Sequence, residues 1–257
     1  MIKILIVLFF SLATLSATAS DLEREKRLAD EIVDMIVDGE PVWLTAEKHS
    51  FLAIYTPTTQ RHAHGTVIIL HGRGMHPDWA DVVSPLRTGL PASGWHTLSL
   101  QMPVLGKEAK YNDYVPIFPE SIPRIQAAIQ YLHDTGVKHI VLVAHSCGAH
   151  MAMHWIAKNG DKDISAYVGI GMGATDYKQP MQESFPLARM HVPVLDVYGS
   201  AEFPQVLNMA PERAAAIRKA GNTQSQQIVI PGADHYFHEH NKELVEVVGE
   251  WLGNLQF

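Results

Sequence analysis

The segment Val141-Leu142-Val143-Ala144-His145-Ser146-Cys147-Gly148-Ala149 constrains this chain more than any other. An apolar strand runs without a spacer into a small-x-Ser-x-Gly turn, and a helix is expected to follow at 149–157. A turn that tight tolerates only tiny residues two before and two after the serine, here Ala144 and Gly148. Such an elbow is strained, and the strain lifts the hydroxyl clear of the sheet. The N-terminus of the helix behind it favours negative charge at the same place. Ser146 is therefore a candidate nucleophile, the plain alternative being a strand–turn–helix connection without chemistry.

The rest of the chain supplies a sheet for such an elbow to stand on. Residues 66–70 form a continuous β-branched and apolar run, the pattern of a strand buried on both faces. Further strands are expected at 95–100, 140–143, 166–170, 194–197 and 227–230, and an antiparallel pair at 42–44 and 51–55. Helices are expected at 21–38, 78–86, 121–133, 211–220 and 242–252. Strands alternating with helices imply a mostly parallel sheet covered on both faces, with right-handed crossovers. Residues 102–120, rich in Pro, Tyr, Asn and Gly, are expected to form a long loop near the site.

The N-terminus reads as an address. Lys3 precedes an apolar run at 4–15, too short to span a bilayer comfortably, and Ala17-Thr18-Ala19 offers small residues at a cleavage spacing. Residues 1–19 are thus expected to be a signal peptide cut after Ala19, leaving 20–257 as one domain without a stable membrane anchor. An uncleaved anchor is the alternative. Export fits a bacterial periplasm. Cys147 is the single cysteine, so no internal disulfide is possible. A formal charge of −7 argues against nucleic acid, which requires a basic face.

Beside these residue-level readings, the elbow resembles the nucleophile elbow of the α/β-hydrolase superfamily, and three further segments follow in that superfamily's order. His71-Gly72-Arg73-Gly74 is similar to its oxyanion loop. Residues 193–202, ending Tyr198-Gly199-Ser200-Ala201-Glu202, are similar to its acid-bearing strand and turn. Pro231-Gly232-Ala233-Asp234-His235-Tyr236-Phe237 is similar to its histidine loop. The resemblance spans nearly the whole chain after residue 19, and within the superfamily it extends to uncharacterised exported bacterial proteins. Ala144 and Glu202 depart from the commoner Gly and Asp.

The resemblance implies an α/β-hydrolase fold without a large cap domain and a triad of Ser146, His235 and Glu202. A serine hydroxyl needs a base to take its proton, and the acid must orient that base and steady its positive form. Asp176 is the alternative acid; Asp196 is expected inside a strand, and Asp234 adjoins the histidine too closely to orient it. The oxyanion donors would be the backbone N–H groups of Arg73 and Cys147, with the Cys147 thiol turned into the fold. His145 is expected to be turned away from the site and to serve packing. His238 and His240, read as i, i+2 on a helix, would face different ways, so no metal and no cofactor is expected. The implied activity is hydrolysis of a small or short-acyl carboxylic ester. An acyltransferase, a peptidase or amidase, and a non-catalytic binding protein remain open on the same scaffold. Residues 171–192 must connect two strands, and with 183–190 expected as the connecting helix, little chain is left for a cap.

Overall fold

The centre of the molecule is a pair of adjacent parallel strands, β3 (Gly65–Leu70) and β5 (Ile140–His145), every residue of which is buried. The structure, a computed structural model, describes residues 19–257; the expected signal sequence lies almost wholly outside the described residues. The sheet has eight strands in the order β1 (Glu40–Ala46), β2 (His49–Thr56), β4 (Trp95–Leu100), β3, β5, β6 (Ala166–Ile170), β7 (Val194–Gly199), β8 (Gln226–Ile230). β1–β2 and β2–β4 pair antiparallel; the other pairs are parallel.

Successive strand side chains point to opposite faces, and both faces are covered. Ile68, Leu70, Leu142 and Ala144 join one core beneath α4 (Ser121–Asp134) and α5 (Cys147–Asn159). Val67, Ile69, Val141 and Val143 join the other, beneath α2 (Val83–Gly89) and α7 (Asn241–Gly253). α1 (Leu22–Val33), capped by Asp21 accepting from the Arg24 N–H at 2.9 Å, lays Ala29 and Ile32 on Leu52 and Ile54 of β2.

Several elements depart from the sequence expectation, each for a local reason. α1 stops at Val33 because the chain must turn back at Gly39 (φ 96°) to enter β1. α2 starts only after Val82, whose φ of 63° is not helical. α6 runs from Pro204 to Ala220, not from Pro211. A proline is well placed in a first turn, and the loss at Pro211 of one backbone bond is borne because Val206, Ala210 and Ile217 are buried. Residues 102–120 are not a plain loop: they hold α3 (Tyr111–Tyr114) and a 3₁₀ helix, Val115–Glu120. The helix expected at 183–190 is reduced to a 3₁₀ turn at Leu187–Arg189, since Pro186 disfavours helical backbone at Phe185. Apart from that turn the β6–β7 connection is irregular, and among the described residues no large cap covers the strand ends. Among the described residues no helix is long and apolar enough to cross a membrane.

Candidate active site

β5 delivers Ser146 at φ 55°, ψ −119°, a region that costs a non-glycine residue about 1–3 kcal/mol. The Ser146 N–H donates to the Ile170 carbonyl of the neighbouring strand at 2.9 Å, and the Ala149 N–H donates to the Ser146 carbonyl at 2.9 Å. Gly148 is required by contact: a Cβ there would lie 2.5 Å from the His71 carbonyl oxygen and 2.7 Å from that of Leu70. The elbow thus rests directly on the exit of β3.

The structure brings Ser146, His235 and Glu202 together. His235 Nε2 is 2.8 Å from Ser146 Oγ, and His235 Nδ1 is 2.8 Å and 3.0 Å from the two Glu202 carboxylate oxygens. A neutral ring with its proton on Nδ1 satisfies both contacts, donating to Glu202 and accepting from the serine hydroxyl. Both partners of the His–Glu pair are buried. The turn after β7 and the histidine loop are joined backbone to backbone: Ser200 N–H to Ile230 O at 3.0 Å, and Ala201 N–H to Ala233 O at 2.9 Å. Phe203 stacks on His235 with ring centroids 4.4 Å apart. Gly171 (φ 59°) closes the site from below, where a Cβ would sit 2.7 Å from Glu202 Oε1 and 3.0 Å from His235 Nδ1.

His145 does more than pack. Its Nε2–H donates to the His235 carbonyl at 2.9 Å, tying the elbow to the histidine loop. Burial, aided by the neighbouring His235, lowers its pKa to about 3 and keeps it neutral. His71 plays the matching part in the loop after β3. It donates from Nδ1 to the Gly72 carbonyl at 2.7 Å and accepts at Nε2 from the Met102 N–H at 2.9 Å; burial lowers its pKa to about 3. Behind it Gln101 packs against His71 Nε2, Arg124 donates to the Gln101 carbonyl at 3.0 Å, and Arg124 pairs with Glu25 of α1 at 2.7 Å. Arg24 donates to the Gly74 carbonyl at 3.3 Å. No sequence signal pointed to Glu25 or Arg124, which read as ordinary helix-surface charges.

Neither the Arg73 nor the Cys147 N–H is taken up by the turn hydrogen bonds around it. Burial pushes the Cys147 thiol up to about 12, so it stays protonated and poorly nucleophilic. The Arg73 side chain pairs in two-pronged fashion with Asp176, which also accepts from the Tyr111 N–H at 2.6 Å. Burial alone would raise the Asp176 carboxyl; the Arg73 and Tyr111 hydrogen bonds outweigh it and hold the group low. Asp176 therefore faces Arg73 across the cleft mouth while Glu202 meets His235. Asp196 is buried against Arg213 at 2.8 Å, and Asp234 accepts from the Tyr236 and His238 N–H groups of its own turn. His238 and His240 are not on a helix as expected: the former lies in the turn, bonded to Asp234, and the latter precedes α7, bonded to Glu243. Among the described residues no group of three or more His, Cys, Asp or Glu side chains could hold a metal.

Above Ser146 and His235 opens a cleft of about 500 Å³, walled by Arg73, Tyr111, Phe203 and Tyr236 among others. Its rim comes from residues 102–120 and the β6–β7 connection, which bond to one another where the Asn112 N–H meets Gln179 and the Gln182 N–H meets the Tyr111 hydroxyl, both at 2.8 Å.

Sheet order, elbow and cleft are those of an α/β-hydrolase fold, and solved structures bear this out. A serine hydrolase homologue from Coxiella burnetii superposes with a TM-score of 0.64 at 20% identity, covering 84% of this chain and 98% of its own. Est1E from Butyrivibrio proteoclasticus matches with 0.65 at 17% identity, over 84% and 98%. Dienelactone hydrolase from Anabaena variabilis matches with 0.63 at 17% identity, over 84% and 96%. The chain belongs to the family described as protein of unknown function (DUF3530), whose model matches residues 12–114 and 119–253. No curated protein matches the sequence.

Proposed function

We propose that this protein is an exported serine hydrolase that cleaves small or short-acyl carboxylic esters through an acyl-enzyme. The observation that carries the reading is the relay of 2.8 Å contacts from Ser146 Oγ through the His235 ring to Glu202. In the proposed cycle Ser146 Oγ attacks the ester carbonyl carbon as its proton passes to His235 Nε2. The Arg73 and Cys147 N–H groups take the developing oxyanion, and Glu202 steadies the imidazolium. The tetrahedral intermediate collapses, the C–O bond to the alcohol breaks, and the leaving oxygen takes the proton from His235. Water then repeats the sequence, with His235 as its base, and releases the acid and free Ser146. The compact-ester reading is supported by a cleft of about 500 Å³ walled in part by Tyr111, Phe203 and Tyr236, with no large cap among the described residues to extend it over a long acyl chain. Butyrivibrio Est1E has been solved with ferulic acid bound, and a small carboxylic acid of that size suits a cleft of this volume. Export to a periplasm rests on the apolar run at 4–15 and the small residues 17–19.

The test is a series of p-nitrophenyl esters from acetate to palmitate, with and without detergent micelles, alongside labelling by a fluorophosphonate. Rates should fall with chain length and show no jump at micelles. Ser146→Ala should keep the circular dichroism spectrum while losing the label and several powers of ten in rate. Labelling that survives in Ser146→Ala refutes the nucleophile; rates that climb toward palmitate refute the substrate class.

A further inference from the structure

Near the start of the described residues, the Ser20 backbone meets a carboxylate in a partly buried setting. Ser20 is 8% exposed. Its backbone N–H points between the two Glu120 carboxylate oxygens, at 3.1 Å and 3.3 Å. One amide hydrogen is there shared by two anionic acceptors. The Ser20 hydroxyl beside it is also buried and has no partner among the described residues. The next residue is fixed as firmly, the Asp21 N–H donating to the Val104 carbonyl at 2.7 Å before Asp21 caps α1.

We infer that cleavage after Ala19 turns this contact into an ion pair: the new α-ammonium of Ser20 becomes the partner of Glu120. The processing step hydrolyses the Ala19–Ser20 peptide bond, so the Ser20 nitrogen gains hydrogens and, at neutral pH, a positive charge. An ammonium carries three donors where the amide had one, and hydrogen bonds between charged groups are roughly twice as strong as neutral ones. Glu120 is the last residue of the 3₁₀ helix that runs directly into α4, so its position is set by helical backbone on both sides. The pair clamps the beginning of the helix whose Arg24 and Glu25 hold the Gly74 carbonyl and the Val104 N–H. Maturation thus tightens the support of the loop carrying Arg73. The inference rests on the export reading above, and its test separates the two.

The full-length gene is expressed in an exporting bacterial host and the purified protein is sequenced from its N-terminus, where Ser20 is expected. Thermal unfolding is then compared for this protein and Glu120→Gln, and for the same two sequences released from a fusion so that they begin at Ala17. Glutamine still accepts from an amide but carries no charge. Glu120→Gln should lower the Tm by about 2–4 °C in the protein beginning at Ser20, the scale set by one ion pair in a domain of this size. In the protein beginning at Ala17, whose charge lies three residues away, it should lower the Tm by less than half as much. A start at another residue overturns the processing site. A start at Ser20 with equal losses in both backgrounds overturns the ion pair while leaving export intact.

Discussion

The two sides of the cleft are built by opposite means. On the His235 side, the acid turn and the histidine loop meet through neighbouring backbones, with Phe203 laid flat on the ring. On the Arg73 side, the loop after β3 is held by a buried polar relay that runs from His71 through Gln101 and Arg124 to Glu25, on a helix outside the parallel sheet. The first kind of support is local and repeats the fold's own strand order. The second joins residues 99 positions apart and places a full charge pair in the interior. Such a pair adds little net stability over a well-packed apolar replacement, yet losing one partner is costly.

The largest effect expected from breaking this contrast is on the local side. Glu202→Gln should lower kcat/KM on p-nitrophenyl acetate by about 10⁴-fold, the scale of losing the acid of a serine triad, with Tm little changed. Asp176→Asn, which weakens the Arg73 and Tyr111 contacts at the cleft mouth, should cost far less. If Asp176→Asn is the crippling change, the relay assignment is wrong. On the long-range side the effect should appear first in stability. Arg124→Met strands Glu25 in the interior and should cost about 3–5 kcal/mol of unfolding free energy, read by urea denaturation. Adding Glu25→Leu should recover much of it. A fully additive double variant would mean that the two charges do not act as a pair.

The smallest effect treats both sides alike. His71 and His145 are buried neutral rings with pKa lowered to about 3, whereas in the unfolded chain each titrates near 6.5. Between those values the unfolded state binds the extra protons, so stability is complete above about pH 6.5 and declines as pH falls. Each ring contributes a slope of about 1.4 kcal/mol per pH unit. His71→Gln and His145→Gln should each flatten the stability–pH profile by one proton between about pH 6 and 4. A profile left unchanged by one of them would show that its ring is not kept neutral.

The same contrast explains what could be read from the chain alone. The elbow, the Tyr198–Glu202 turn and the histidine loop were legible because their chemistry is carried by small residues at fixed local offsets beside apolar strands. Both buried faces of β3 are legible from its continuous β-branched and apolar run at 66–70. Glu25 and Arg124 were not, because nothing local separates a buried charge from a solvated one; only the partner does. The part His145 plays is not legible in the sequence, because its hydrogen bond goes to a backbone 90 residues away. The helix expected at 183–190 failed because one proline outweighed an otherwise helical composition.

Gly148 has a mechanical consequence. Because its α-carbon faces the bare carbonyls of Leu70 and His71, the spacing between the elbow and the neighbouring loop is gauged by two main chains in contact. Side chains can hop between rotamers and the cleft rim can breathe, but main-chain contact has almost no compressibility to yield. The distance from Ser146 to the Arg73 and Cys147 N–H groups is thereby insulated from fluctuations elsewhere in the core. Even a single methyl group at position 148 would act as a wedge, driving the two supports apart by tenths of an ångström at the point where tolerance is least.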